Sequence, residues 1–198
     1  MPLLESKAPA DPLTLFRRWY REAEAAGAAQ PEAMALATAG GEGPSVRMVL
    51  FKGLRDGSFL FYTNYESRKG RDMAHDRRAA SVFYWFATRH QVRISGTVRS
   101  LSRQASLAYF RTRPRGAQLS ALASRQSRVL PSRRVLERAV KELAAKHSGD
   151  VPLPADWGGY ALRPGWIEFW ESREDRLHDR LRYVRRRQGG WRIERLAP

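Results

Sequence analysis

Behind Asp11-Pro12, apolar residues recur at Leu13, Phe16 and Trp19, a spacing that gathers them on one face of a helix. Asp11 suits the N-cap, Pro12 the first helical position and Gly27 the stop, so the pattern predicts a first helix. The period then changes. Residues 33–39, 45–51 and 59–63 read as strands, separated by Gly40-Gly41-Glu42-Gly43 and by a turn around Asp56-Gly57, and they predict a three-stranded meander. A short helix over 67–75 follows, then strands over 81–85 and 91–100, with Gly96 at a possible bulge. Residues 102–111 and 132–146 read as helices, the second with Leu136, Val140 and Leu143 on one face. After Pro152 and Pro154, strands are predicted over 159–162, 166–170, 182–186 and 191–196, the last two joined at Gln188-Gly189-Gly190. Many short, mostly adjacent strands with a few helices between them predict a mainly β protein, an antiparallel barrel flanked by helices.

The 198 residues contain no repeat and no linker that would divide them, so residues 1–198 read as one domain. Residues 1–10 are expected to be flexible. With no Cys, disulfides, thiolate metal sites and a cysteine nucleophile are excluded. The four histidines lack zinc-type spacing, so no metal is expected. Residues 1–11 lack the apolar core of a signal peptide and no stretch is long enough to span a bilayer, which predicts a soluble, cytoplasmic protein without membrane contact.

Charge changes the picture more than length does. The net charge of +16 calls for anionic partners, but the arginines are spread along the chain. A separate nucleic-acid patch is therefore not expected. Neither a dinucleotide G-x-G-x-x-G nor a G-x-x-x-x-G-K-[ST] phosphate loop is present, so side chains would have to grip a phosphate. Three clusters could do so: Arg47 with Lys52, Ser67-Arg68-Lys69 at a helix start, and Arg111, Arg113 and Arg115 around Pro114. The second adds free helix N–H groups to two cations. Strict alternation would put Arg47 and Lys52 on opposite strand faces, serving different groups unless a bulge intervenes. An extended Arg176-Leu177-His178-Asp179-Arg180 would point two guanidiniums and an imidazole to one side, toward something anionic or electron-rich. Trp170 could flank a planar ring or fill the core. Chemistry alone reaches a binder of a phosphorylated planar ligand.

Several strings together are more specific. Asp11-Pro12-Leu13-Thr14-Leu15-Phe16, Arg47-Met48-Val49-Leu50-Phe51-Lys52, Phe61-Tyr62-Thr63-Asn64 with Ser67-Arg68-Lys69, Arg113-Pro114-Arg115, Ser124-Arg125-Gln126-Ser127, Pro152-Leu153-Pro154 with Trp157-Gly158-Gly159, Ile167-Glu168-Phe169-Trp170 and Arg176-Leu177-His178-Asp179-Arg180 resemble, in order and spacing, the pyridoxamine 5′-phosphate oxidase family. The resemblance implies an FMN-binding split β-barrel that forms a homodimer, with FMN between the subunits and residues 151–198 serving dimerisation and substrate binding. It assigns Arg47, Arg68, Lys69 and Ser127 to the phosphate and ribityl end of FMN. Met48, Val49, Leu50, Lys52, Tyr62, Thr63, Gln91, Gln126, Trp170 and Arg180 complete the cofactor set.

Lys52, Tyr109 and Arg113 match the grip on the substrate phosphate, and Arg176 and His178 the catalytic residues over the substrate's pyridine ring. The implied reaction oxidises pyridoxine or pyridoxamine 5′-phosphate to pyridoxal 5′-phosphate, with molecular oxygen as acceptor and hydrogen peroxide as product. The alternative is a related FMN-dependent oxidase of secondary metabolism, of phenazine-precursor type, acting on a non-phosphorylated substrate. Three departures bear on the choice, all on the substrate side: Ala117 stands where the family has Ser, His90 where an Arg commonly precedes the Gln, and the usual basic, Tyr-containing segment before Asp11 is missing.

Overall fold

The computed structural model describes residues 3–198. The first helix, α1 (Pro12–Ala25), starts where the sequence places it: the Asp11 side chain accepts from the Leu13 N–H at 3.0 Å and Pro12 occupies the first turn. Its apolar stripe, with Leu15, Phe16, Trp19 and Ala23, is buried. The Phe16 ring meets Phe59 edge-on at 4.8 Å and Phe51 at 5.4 Å. Truncation of such a residue costs about 3–5 kcal/mol.

Strands β1 (Ala33–Gly40), β2 (Gly43–Leu50), β3 (Leu54–Arg55), β4 (Ser58–Asn64), β5 (Arg78–Trp85), β6 (His90–Ser100), β7 (Trp157–Glu171), β8 (Asp179–Arg185) and β9 (Trp191–Arg195) form one antiparallel sheet in the order β2-β1-β5-β6-β7-β4-β3, with β8 and β9 continuing from β7. Four further helices interrupt it: α2 (Arg68–His75), α3 (Arg103–Thr112), α4 (Arg115–Ala123) and α5 (Arg133–Lys146). This is the helix-flanked, mainly β split barrel that the sequence predicts. Among the described residues no helix is long and apolar enough to cross a membrane.

Four expectations need correction. The meander does not form: β2 pairs with β1, whereas β4 pairs with β3 and β7. The chain leaves its ladder after Leu50 and passes through Gly53 at φ +108, a conformation glycine adopts at no steric cost. Only two bonds, Lys52 N–H to the Leu60 carbonyl and Leu60 N–H to the Gly53 carbonyl, stitch this segment to β4. Second, the predicted strands at 159–162 and 166–170 are one strand, β7, running through Pro164-Gly165. Its first part carries β4 and its second β8, and a register shift at Ser95/Gly96 on β6 lies opposite the junction. Gly96 is required there because a Cβ would strike the Arg163 carbonyl.

Third, α4 was not anticipated. Finally, residues 3–10 are docked rather than flexible: Leu3 is buried, Glu5 pairs with Arg195, and the Pro9 carbonyl accepts from the Tyr183 hydroxyl. Met1 and Pro2 lie outside the described residues.

Candidate functional site

A cavity of about 420 Å³ opens where the end of β2, β4, α3 and the start of β7 meet. Met48, Val49, Leu50 and Lys52 line one side and Tyr62, Thr63, Lys69 and Gln126 another. Tyr109 and Arg113 contribute from α3 and its end, next to Trp157. Ten of the residues singled out by the sequence thus share one space. Arg47 and Lys52 do serve different groups. Irregular chain after Leu50 brings Lys52 to the cavity, while Arg47 reaches toward α2 and donates to Thr38 Oγ1 at 2.6 Å and to the Leu36 carbonyl at 3.2 Å.

Local chemistry shapes the cation cluster at the start of α2. The Ser67 hydroxyl accepts from the Gly70 N–H, capping the helix, and donates to the Asn64 carbonyl at 2.7 Å. The turn before it is pinned by Asn64 Nδ2 donating to Asp156 at 2.7 Å. Lys69 is buried, and its ammonium donates to Thr63 Oγ1 (3.0 Å), Ser67 Oγ (3.0 Å) and Gln126 Oε1 (2.8 Å). All three acceptors are neutral. Burial, with Arg47 nearby adding to it and Asp72 opposing it, lowers the Lys69 pKa to about 8. Arg68 Nε is buried with no hydrogen-bond partner among the described residues. The nearest carboxylate to Arg68 Nε, that of the exposed Glu42, is 3.8 Å away, so two cations beside a helix start are arranged as an anion would require.

A second cation lines the same cavity. The Arg113 guanidinium sits 4.8 Å from the Trp157 ring centroid and 5.8 Å from that of Phe110, and its Nη1 is buried without a partner among the described residues. Burial lowers its pKa and raises that of Tyr109. Tyr109 stacks on Tyr62 with centroids 3.8 Å apart and 18° between planes. The cavity therefore combines stacked aromatic faces with cations from two separate clusters.

The remaining predicted residues are elsewhere. Gln91, Trp170 and Arg180 form one row across β6, β7 and β8, each directly opposite the next. Ile167 and Phe169 are buried in the barrel core, so alternation turns this row to the opposite face. Buried Glu168 accepts from Arg180 Nε at 2.9 Å and from Arg93 Nη1 at 3.2 Å. The His178 ring lies 4.6 Å from that of Trp170, and Arg176 is exposed. The expectation of an extended 176–180 segment is wrong: Asp175 and Arg176 have φ of 52° and 58° and belong to a 3₁₀ turn, and β8 begins only at Asp179. Arg176, His178 and Arg180 do not share one strand face. Ser127, at φ 70°, is exposed beside Gln126.

His90 stacks on Trp19 at 3.9 Å, with carboxylates of Glu22 and Glu171 each 3.8 Å from one of its nitrogens. Ala117 lies within α4.

Several supporting residues escaped the sequence reading. Buried Asp72 accepts from Thr38 Oγ1 at 2.7 Å and lies 3.6 Å from Arg47, so it holds that guanidinium in place. Glu168 does the same for Arg180, and Trp157 underlies Arg113. Trp157 and Glu168 stood inside recognised strings without a role, and only the fold brings each beside its cation.

Residues 21–147 match the family described as pyridoxamine 5′-phosphate oxidase, and residues 157–198 the pyridoxine 5′-phosphate oxidase C-terminal dimerisation region. The chain is 52% identical over 192 residues to a pyridoxine/pyridoxamine 5′-phosphate oxidase of Salinibacter ruber, covering 95% of this chain and 89% of that one. It is similar to the solved structure of PhzG from Burkholderia lata 383 in complex with tetrahydrophenazine-1-carboxylic acid, with a TM-score of 0.93 and 35% identity over 99% of this chain and 98% of that one. A protein of Nostoc punctiforme, described as pyridoxamine 5′-phosphate oxidase-related, shares the fold at a TM-score of 0.76 and 20% identity, over 98% of this chain and 99% of that one.

Proposed function

The chain belongs to the pyridoxamine 5′-phosphate oxidase family, and from that membership we propose that it binds FMN and oxidises pyridoxine or pyridoxamine 5′-phosphate to pyridoxal 5′-phosphate, with molecular oxygen as acceptor and hydrogen peroxide as product. One observation carries this reading. Two buried guanidinium nitrogens without a hydrogen-bond partner among the described residues, Arg68 Nε and Arg113 Nη1, belong to separate basic clusters, and Lys69 of the first and Arg113 of the second line one aromatic-walled cavity. Two phosphate groups, one on a cofactor and one on a substrate, match that demand. A single phosphorylated ligand would leave one cluster without its counter-charge.

The residues fit FMN. Lys69, Arg68 and the start of α2 would hold its phosphate, with Arg47 adding charge behind Lys69. Gln91, Trp170 and Arg180 would meet the flavin from a second copy of the chain, since none of them lines the cavity that holds most of the other cofactor residues. FMN supplies the hydride-accepting centre and the reactivity toward oxygen. Lys52, Tyr109 and Arg113 then anchor the substrate phosphate and fix the distance to the carbon that loses hydride. Arg176 and His178 cover the pyridine ring from the other side. Catalysis on this reading comes mostly from orientation in a dry slot.

A second reading, oxidation of a non-phosphorylated phenazine precursor, is favoured by the 0.93 TM-score to PhzG and by the methyl group of Ala117, which removes a hydroxyl from the phosphate grip. On that reading the Arg113 cluster would meet a carboxylate, the anion carried by the ligand of the PhzG structure, in place of a phosphate. The two separate in one assay: purified yellow protein should consume oxygen with pyridoxine 5′-phosphate and form the aldehyde. A flavin-loaded protein inert toward both B6 phosphates would overturn the first reading.

A further inference from the structure

The turn bearing Arg176 and His178 carries two consecutive residues at positive φ, Asp175 and Arg176, a conformation that costs energy and persists only where surroundings enforce it. Those surroundings are ionic. The Arg173 N–H donates to His178 Nδ1 at 3.1 Å, which makes that nitrogen the acceptor and leaves Nε2 to carry the proton of the neutral ring. The Arg173 guanidinium donates to Glu171 Oε2 at 3.0 Å and to Asp179 Oδ2 at 2.9 Å, bridging the two ends of the turn.

Asp179 does more than accept from Arg173. It accepts from Arg195 Nη1 on β9 at 2.8 Å and from the Leu3 N–H at 3.3 Å. Arg195 in turn donates to both carboxylate oxygens of Glu5, at 2.6 and 2.8 Å, and to the Leu3 carbonyl at 2.6 Å. One network thus joins the chain's leading segment, the end of β7, the start of β8 and β9. Its members meet at the Asp179 carboxylate. Charge-assisted bonds of this kind are about twice as strong as neutral ones; Arg195 and Glu5 are exposed and screened by solvent, whereas the Arg173–Asp179 bond at the turn is partly buried.

We propose that Asp179 and Arg173 are positioning residues, and that with Leu3 and Glu5 they form a latch that holds Arg176 and His178 against the substrate. The latch rests on the reading above that these two residues cover the pyridine ring. It gives the leading segment a structural task at the site. Arg173 fixes the imidazole tautomer, and Asp179 fixes Arg173.

Kinetics with pyridoxine 5′-phosphate at saturating FMN, together with hydrogen–deuterium exchange of residues 171–179, tests this. Asp179→Asn should lower kcat/KM at least about ten-fold, chiefly through KM, and speed exchange of the segment by a similar factor. Asp179→Glu should recover part of both. Deleting residues 1–6 should act in the same direction, and combining it with Asp179→Asn should add little, because both open one network. Unchanged exchange in Asp179→Asn, or additive effects of the two changes on exchange, would overturn the latch. The exchange arm needs no substrate, so wild-type protein inert toward pyridoxine 5′-phosphate would sink the functional reading and still leave the latch decided.

Discussion

Trp157 and Trp170 stand near opposite ends of one 15-residue strand, the first lining the cavity beside Arg113 and the second in the outward row with Gln91 and Arg180. At about 3.3 Å per residue an extended strand separates them by up to roughly 40 Å. A ligand that touches both halves therefore needs two chains, in keeping with the match of residues 157–198 to a dimerisation region.

Subunit mixing tests that arrangement. Arg113→Ala damages the cavity half and Arg176→Ala the other half, so each homodimer should be strongly impaired. In a hybrid dimer one of the two sites draws both intact halves. Unfolding and refolding the variants together in equal amounts should restore about a quarter of wild-type activity. Recovery no greater than the sum of the separate variants would place the complete site within one chain.

The position of Lys69 makes FMN affinity pH-dependent. Its pKa in the free protein is lowered to about 8 by burial and then by Arg47, so the ammonium that meets the phosphate is progressively lost above that pH. Affinity should be steady from about pH 7 to 8 and then fall by up to about ten-fold per unit. For the protein without FMN the sign is opposite. The unfolded chain binds the proton more tightly between pH 8 and the ordinary lysine value, so this group's contribution to stability rises across that window. Fluorescence titrations of FMN from pH 6.5 to 9.5 check the first statement, and Lys69→Met should flatten the profile.

Glu168, 2% exposed, holds two guanidiniums. Glu168→Gln leaves Arg180 without its buried counter-charge, and breaking such a pair costs about 3 to 5 kcal/mol. At about 2–4 °C per kcal/mol for a chain of this size, calorimetry should register a fall in Tm of roughly 6 to 20 °C, with weaker FMN binding. A shift below about 2 °C would mean that solvent already compensates Arg180.

What was legible in the sequence divides along physical lines. The α1 cap, the strand periods and the order of the motifs are local or linear, and Asp11, Pro12 and the alternating apolar residues expose them directly. Pairing is not local. Nothing in residues 45–63 says that β4 will leave β2 for β7, because that choice is made by Phe59 and Phe61 entering the core beside Tyr160 and Leu162. The cavity residues were legible as a set because all but Tyr109 of the ten lie in four of the recognised strings. Asp72, Glu168 and Arg173 were not, since a charged side chain that orients another from a different part of the fold looks in sequence like any surface charge. The extended reading of 176–180 failed because the ionic contacts of Arg173 and Asp179 fold that segment into a turn, and strand alternation has no access to them.

The Trp157 ring under Arg113 supplies the last test. A guanidinium 4.8 Å from an indole centroid gains about 0.5–2 kcal/mol depending on desolvation, and the ring also fixes where the free Nη1 points. Trp157→Leu removes that surface and should raise KM for a phosphorylated substrate by roughly 3- to 30-fold, the ratio these energies imply. Trp157 is also 6% exposed in a small core with Phe110, Leu119 and Val151, so Trp157→Leu alone could act through loss of packing. Trp157→Phe separates the effects: it keeps an aromatic face beneath the cation and should hold KM within a few-fold of wild type while losing some of the same packing. A Trp157→Phe protein with the full KM defect of the Leu variant would show that packing, not the cation–π contact, sets the position of Arg113.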